Sequence, residues 1–236
     1  MKHHQIEIIG KVHSPYQQKF AVPRQPGLVR AATTTIELTG PYSQPDCCRG
    51  LLDFSHIWVI FVFHQTVASG WKPLVRPPRL GGNQRKGVFA TRATYRPNGL
   101  GMSVVKLLSI DYHSGSTWIT VEGADWVDET PVVDIKPYLP YADSVIDAQG
   151  GFADNRPTTE LETHFSEQAI QDLALLADDY PNLKELIGQV LEQDPRPAYN
   201  KAAHQEKIYG MALYDLNIKW RVKQQQNIVL SVTKTF

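Results

Sequence analysis

GVFATRATYRPNGLGMS, residues 87–103, puts two arginines, three glycines and a proline between two stretches that alternate like β-strands. A packed strand favours β-branched and aromatic residues and avoids Gly and Pro in its interior, so something other than core packing set this run. Its continuation decides the fold class. Gly99-Leu100-Gly101 would belong to a dinucleotide-binding loop only with a third glycine, a strand before it and a helix after it. Here the chain runs on as SVVKLLSIDYH (103–113), which alternates like a strand.

Working outward, short apolar or alternating runs at 5–12, 33–39, 56–63, 86–92, 103–113 and 116–122 read as strands, bounded by turn-rich pieces such as SPY, PRQPG, PYSQPD and RPPRLGGN. HIWVIFVF (56–63) is apolar after its first residue, the pattern of a strand covered on both sides. Within 103–113, Val104, Leu108, Ile110 and Tyr112 share one face, interrupted by Lys106. Many short strands with few helical signals point to a barrel or closed sheet.

The character then changes. YADSVIDAQGGFADNRPTTE (141–160) is polar and turn-rich, Ser166 reads as the cap of a helix striped by Ile170, Leu173, Ala174 and Ala177, and Pro181 opens a second helix striped by Leu183, Leu186, Ile187, Val190 and Leu191. Strands are expected near 206–214, 216–223 and 227–233. The expected architecture is mainly β with an α+β appendage: a β-barrel domain over 1–142, a linker over 143–165 and a small C-terminal α+β domain over 166–236.

At 236 residues, with 42% apolar and 20% charged residues, the chain has an ordinary globular composition. No run approaches a membrane span, and MKHHQIEIIG lacks the apolar core of an export signal. The only cysteines, Cys47 and Cys48, are adjacent; they make no disulfide framework and no metal-ligand spacing, which suits a reducing cytoplasm. A Walker lysine, a G-x-S-x-G elbow and an H-E-x-x-H pair are all missing, which disfavours the usual phosphate-loop, hydrolase and zinc-protease chemistries.

A net charge of zero conceals an asymmetry. Residues 1–103 carry 13 Lys and Arg against 4 Asp and Glu, whereas 104–236 carry 11 against 20. Within 71–96 there are seven basic residues and no acidic one, interleaved with Trp71, Phe89 and Tyr95. Such a field faces anions, phosphate first among them, and the rings can stack on bases; a solvated loop is the plainer alternative. Polar residues also gather where strands end. His64 and Gln65 follow the apolar strand, as ligand contacts or as a strand cap. Asp125 and Asp128 flank Trp126-Val127, able to accept a ribose hydroxyl or an adenine amino group, to face a cation, or to bond their own turn. PRQPG (23–27) is a rigid loop in which Gly27 permits close approach and Arg24 and Gln25 offer donors.

Together, FAVPRQPG (20–27), GVFATRATYRPNGLGMS (87–103), the Asp128 segment running into TPVVDIKPYLP (130–140) and DPRPAY (194–199) resemble the TsaA-like family, specifically TrmO-type tRNA methyltransferases, over nearly the whole chain. The resemblance implies a β-barrel, non-Rossmann methyltransferase domain, a dimer, S-adenosylmethionine as methyl donor, and methylation of N6 of N6-threonylcarbamoyladenosine beside the anticodon of threonine tRNA. It implies cofactor contacts from Pro23, Arg24, Gln25, His64, Gln65, Arg92, Leu100 and the turn Asp125, Trp126, Val127, Asp128.

Arg92, Arg96 and Asn98 are candidates for organising the site, and no general base stands out. Arg76, Arg79, Arg85 and Lys86 are the candidates for the RNA backbone, with Arg196, Tyr199 and Lys201 as a second RNA-facing loop or a rigid connector. Two departures stand out: the family reads RPNPIG where this chain has Gly99 and Leu100, and Gly where it has Glu129. A non-catalytic RNA-binding module is the alternative function; hydrolysis of a small anionic metabolite is disfavoured because no nucleophile–base pair is present.

Overall fold

The computed structural model describes residues 4–81, 83–157, 161–196 and 207–235. The strands are β1 (Gly10–His13), β2 (Thr33–Leu38), β3 (His56–Val62), β4 (Leu74–Val75), β5 (Lys86–Gly87), β6 (Leu100–His113), β7 (Ser116–Glu122), β8 (Pro131–Pro137), β9 (Glu162–Phe165), β10 (Ile208–Leu213), β11 (Leu216–Lys223) and β12 (Gln226–Lys234). The α-helices are α1 (His64–Val67), α2 (Pro140–Asp143), α3 (Glu167–Leu175) and α4 (Leu183–Glu192). No helix among the described residues is long and apolar enough to cross a membrane.

Two compact units form. One holds residues 1–13, 34–122 and 129–155; the other holds 14–33, 123–128 and 156–236. The first unit is a closed antiparallel barrel in the order β1-β2-β7-β6-β3-β8, as the strand-rich sequence led us to expect. Its interior is filled by Val12, Ile36, Ile57, Val59, Val105, Ile119, Val121 and Val132, all essentially inaccessible. Each such side chain contributes roughly 1.5–3 kcal/mol by leaving water. Gly101 lies opposite Phe61 in the β3–β6 ladder, and a Cβ there would stand 2.4 Å from the Phe61 ring. The glycine therefore makes room for the aromatic ring, one non-nucleotide reason for a Gly in the run 87–103.

Several local expectations are corrected. In β6 the inward face is Gly101, Ser103, Val105 and Leu107, while Val104, Lys106 and Leu108 point outward; a bulge between Leu107 and Ser109 then reverses the phase and sets Ile110 opposite Ile119. Strand β3 alternates rather than being covered on both sides: Trp58, Ile60 and Val62 are only half-buried, with the Trp58 indole N–H donating to Asp143 Oδ2 at 3.0 Å. Run 86–92 is a strand only at Lys86–Gly87 and then turns over Val88–Ala90. TPVVDIKP supplies β8, which closes the barrel against both β3 and β1. The cysteines are free, Cys47 exposed and Cys48 buried.

The second unit is a four-stranded sheet, β10-β11-β12-β9, antiparallel except for β9 beside β12, with α3 and α4 sharing its core. Ser166 caps α3, its hydroxyl accepting from the Ala169 N–H at 3.2 Å, and the expected stripe of α4 is fully buried. The α3 stripe is shifted: Ala169, Leu173 and Leu176 face the core, while Ile170 is half-exposed and Ala174 and Ala177 are exposed. Here the division also differs from one sequential boundary. Residues 162–165 form a strand of this sheet rather than a linker, and 14–33 leaves the barrel after β1 to place Tyr16, Ala21, Val29 and Ala32 in this core.

Candidate active site

In the second unit, PRQPG is held from both ends. Ala21 and Val29 are buried, and Gln189 Oε1 accepts from the N–H groups of Arg30 and Ala31 at 2.7 and 3.0 Å. Between these anchors Pro23 is buried, Gln25 half-buried and Arg24 exposed. Gly27 has φ +74° and donates its N–H to Gly123 O at 2.8 Å; Gly123 has φ +78° and donates to Ala32 O at 3.2 Å. The first loop and the Asp125–Asp128 turn thus meet backbone to backbone, at two positions where only glycine fits readily.

Within the turn, Trp126 is buried, and Asp125, Val127 and Asp128 are half-buried. Asp128 Oδ1 accepts the Ser14 N–H at 2.8 Å, the Ser14 hydroxyl donates to Trp126 O at 2.8 Å, and the Asp128 N–H donates to Tyr16 O at 2.9 Å. The carboxylate is therefore fastened to a segment remote in sequence rather than to its own turn, and Oδ2 makes no hydrogen bond among the described residues. Ser14 escaped the sequence reading; the turn-rich SPY (14–16) was its only signal. Burial, and to a lesser degree the charges of Tyr214 and Asp125, push the Tyr16 phenol far up, so it stays neutral.

In the barrel unit a second cluster forms where β3 ends. The Phe63 N–H donates to Gly99 O at 2.7 Å, which brings the helix start at His64 against the RPNGLG loop. Leu100, half-buried, pairs with Val62. His64 is half-buried; Gln65, Arg92 and Asn98 are exposed. Gly99 has φ +62°, which a proline cannot adopt, and its N–H donates to Arg96 O at 3.1 Å. Arg96 is the loop's internal tie, its Nη1 donating to Thr91 O at 2.7 Å and Val88 O at 3.3 Å.

The basic segment carries a short ribbon, β4 with β5, paired Leu74↔Gly87 and Val75↔Lys86. Arg76 follows β4 and Arg85 precedes β5. Both are exposed and make no ion pair among the described residues, and Lys86 is half-buried in the ribbon. Arg79 donates to the carbonyls of Ala153 and Asn155. Arg196 is placed differently from a free cation: it grips Asp194 through two bonds of 2.8 and 3.2 Å with its side chain 11% exposed. Tyr199 and Lys201 lie outside the described residues.

Fold and loops define the class first: a closed antiparallel barrel, unrelated to the doubly wound dinucleotide fold, with glycine-gated loops and a basic ribbon. The chain matches the tRNA-methyltransferase O N-terminal domain over residues 11–144 and the TrmO C-terminal domain over 158–235. It is 51% identical to the Escherichia coli tRNA (adenine(37)-N6)-methyltransferase over 94% of each chain. It is 46% identical to a Pseudomonas aeruginosa protein named as a putative S-adenosylmethionine-dependent methyltransferase, over 92% of each chain. The crystal structure of TrmO from Pseudomonas aeruginosa superposes with a TM-score of 0.82 at 39% identity, covering 98% of this chain and 99% of that one. The chain belongs to the tRNA-methyltransferase O family.

Proposed function

We propose that this protein is an S-adenosylmethionine-dependent methyltransferase of tRNA that acts on N6 of N6-threonylcarbamoyladenosine beside the anticodon of threonine tRNA, as a cytoplasmic homodimer. The observation that carries the reading is the Gly27–Gly123 contact, which sets the PRQPG loop beside the Asp125–Asp128 turn in a chain of this family. The residues fit the donor. Asp128 Oδ2 can accept from a hydroxyl or ammonium group, and backbone groups approach closely where Gly27 and Gly123 carry no side chain. Pro23, Arg24, Gln25, Asp125, Trp126, Val127 and Asp128 would hold it from their loops, and His64, Gln65, Arg92 and Leu100 from theirs.

When bound, S-adenosylmethionine supplies an electrophilic methyl group on a sulfonium. The acceptor nitrogen, between an adenine ring and a carbonyl, is a poor nucleophile, so the protein's contribution is alignment at close range. Arginine suits the substrate's anionic groups because its planar fork grips phosphate or carboxylate through two bonds. Arg76 and Arg85 would meet RNA phosphate, with Arg79 and Lys86 beside them, and Arg96 and Asn98 would order the loop.

The test is mass spectrometry of nucleosides from threonine tRNA incubated with the protein and S-adenosylmethionine. One added methyl on the threonylcarbamoyladenosine is expected. An unmethylated product with intact tRNA binding, and no heat on titration with S-adenosylmethionine, would instead identify a non-catalytic RNA-binding module.

A further inference from the structure

We infer that the ring of Phe89 is a stacking platform for an unpaired base of the RNA substrate. The inference rests on the tRNA reading above and deepens it. Three aromatic residues interleave with the basic run, and the structure separates them. Tyr95 is half-buried with the Lys72 ammonium 4.4 Å from its ring centroid. Trp71 is 56% exposed. Phe89 is 77% exposed, more than any other phenylalanine among the described residues.

A phenylalanine that open to water gains almost nothing from burial, yet its backbone is held firmly. It sits in the turn Val88–Ala90, whose Val88 carbonyl accepts from Thr91 N, Thr91 Oγ1 and Arg96 Nη1 at 3.2, 2.9 and 3.3 Å. The Arg96 guanidinium carbon lies 6.0 Å from the Phe89 ring centroid, a cation–π contact that steadies the ring. An aromatic ring presented on a hydrogen-bonded turn, with a guanidinium beside it, is what a nucleobase stacks on: every base has a π-face, so shape and charge suffice without edge contacts.

Charge decides the occupant. Phe89 lies in the turn that follows β5, while Arg85 immediately precedes β5 and Arg76 immediately follows β4. Phe89 is four positions along the chain from Arg85, a reach of at most about 14 Å. A base on the ring and phosphates on Arg85 and Arg76 fit one short single-stranded segment, and a run with seven basic residues and no acidic one in 71–96 attracts a polyanion.

The experiment measures binding of threonine tRNA by the full chain and by F89A, F89W and R85A, across salt concentrations, beside titration with S-adenosylmethionine. F89A is expected to weaken tRNA binding about 5- to 150-fold, the range for removing one stacked base, with the salt slope and S-adenosylmethionine affinity unchanged. R85A should instead flatten the slope by about one. F89W should restore binding, and its added indole should be quenched when tRNA is bound. Unaltered tRNA affinity in F89A, an equal loss of S-adenosylmethionine affinity, or a changed oligomeric state would each overturn the stacking role while leaving the methyltransferase reading standing. Failure of the unmodified protein to bind tRNA would overturn both.

Discussion

Gly123 stands so close to Gly27 that a Cβ on it would meet the Gly27 Cα at 3.2 Å, and its own φ of +78° already disfavours a side chain. Gly123→Ala is therefore expected to lower stability by about 1–3 kcal/mol in denaturant unfolding. It should also weaken S-adenosylmethionine binding in calorimetry, because the first loop and the Asp125–Asp128 turn would be forced apart. Retained affinity in a folded variant would remove this contact from the cofactor site.

Glu129 occupies the left-handed region at φ +60°, a conformation that favours glycine. Its side chain makes only an exposed ion pair, 3.5 Å from Lys11 Nζ. Left-handed strain of about 1–2 kcal/mol is nearly balanced by that pair and by the extra unfolded-state freedom of glycine, each up to about 1 kcal/mol. Glu129→Gly should therefore change stability by no more than about 1 kcal/mol, whereas Glu129→Val should be clearly destabilising, because a β-branched side chain suits the left-handed region worse than Glu does. Urea midpoints measured side by side separate the two outcomes.

Arg76 follows β4 and Arg85 precedes β5, both exposed and without an ion pair among the described residues. Replacing either by Ala should change stability by no more than about 0.5 kcal/mol, weaken binding of every tRNA alike, and reduce the salt slope by about one per arginine. A loss confined to one tRNA sequence would contradict a phosphate role.

The hydrogen bond from the Tyr180 hydroxyl to Asp215, with burial and the Asp215 charge adding to it, pushes the Tyr180 phenol up to about 12 from 10.0. A raised folded-state value means that this contribution is complete below pH 10, where both states are protonated, and is lost as pH rises toward 12 because the unfolded chain ionises first. Melting temperature should fall over that window, and less so in Tyr180→Phe.

Much of the site was legible in single residues and little of it in their association. Gly27 was expected to permit close approach, and it does, but its partner Gly123 lies far along the chain and no periodicity links them. Asp128 could be singled out as a functional or turn carboxylate, whereas its actual tether, Ser14, is a contact only the folded chain creates. Arg196 looked equally good as an RNA contact until its Asp194 partner was seen. The α4 stripe was read correctly because five apolar residues at helical spacing leave one choice of face, and the α3 stripe was read one step off because its alanines fit either face.

Alternation, turn residues and missing helix signals were enough to determine a mainly β chain with a helical appendage, because period and turn chemistry are local properties. The inward face of β6 was decided only in three dimensions, where Phe61 needs the space over Gly101 and the bulge after Leu107 resets the phase. The same holds for residues 14–33 joining the C-terminal core: burying Tyr16, Val29 and Ala32 there depends on surfaces that sequence neighbours do not supply.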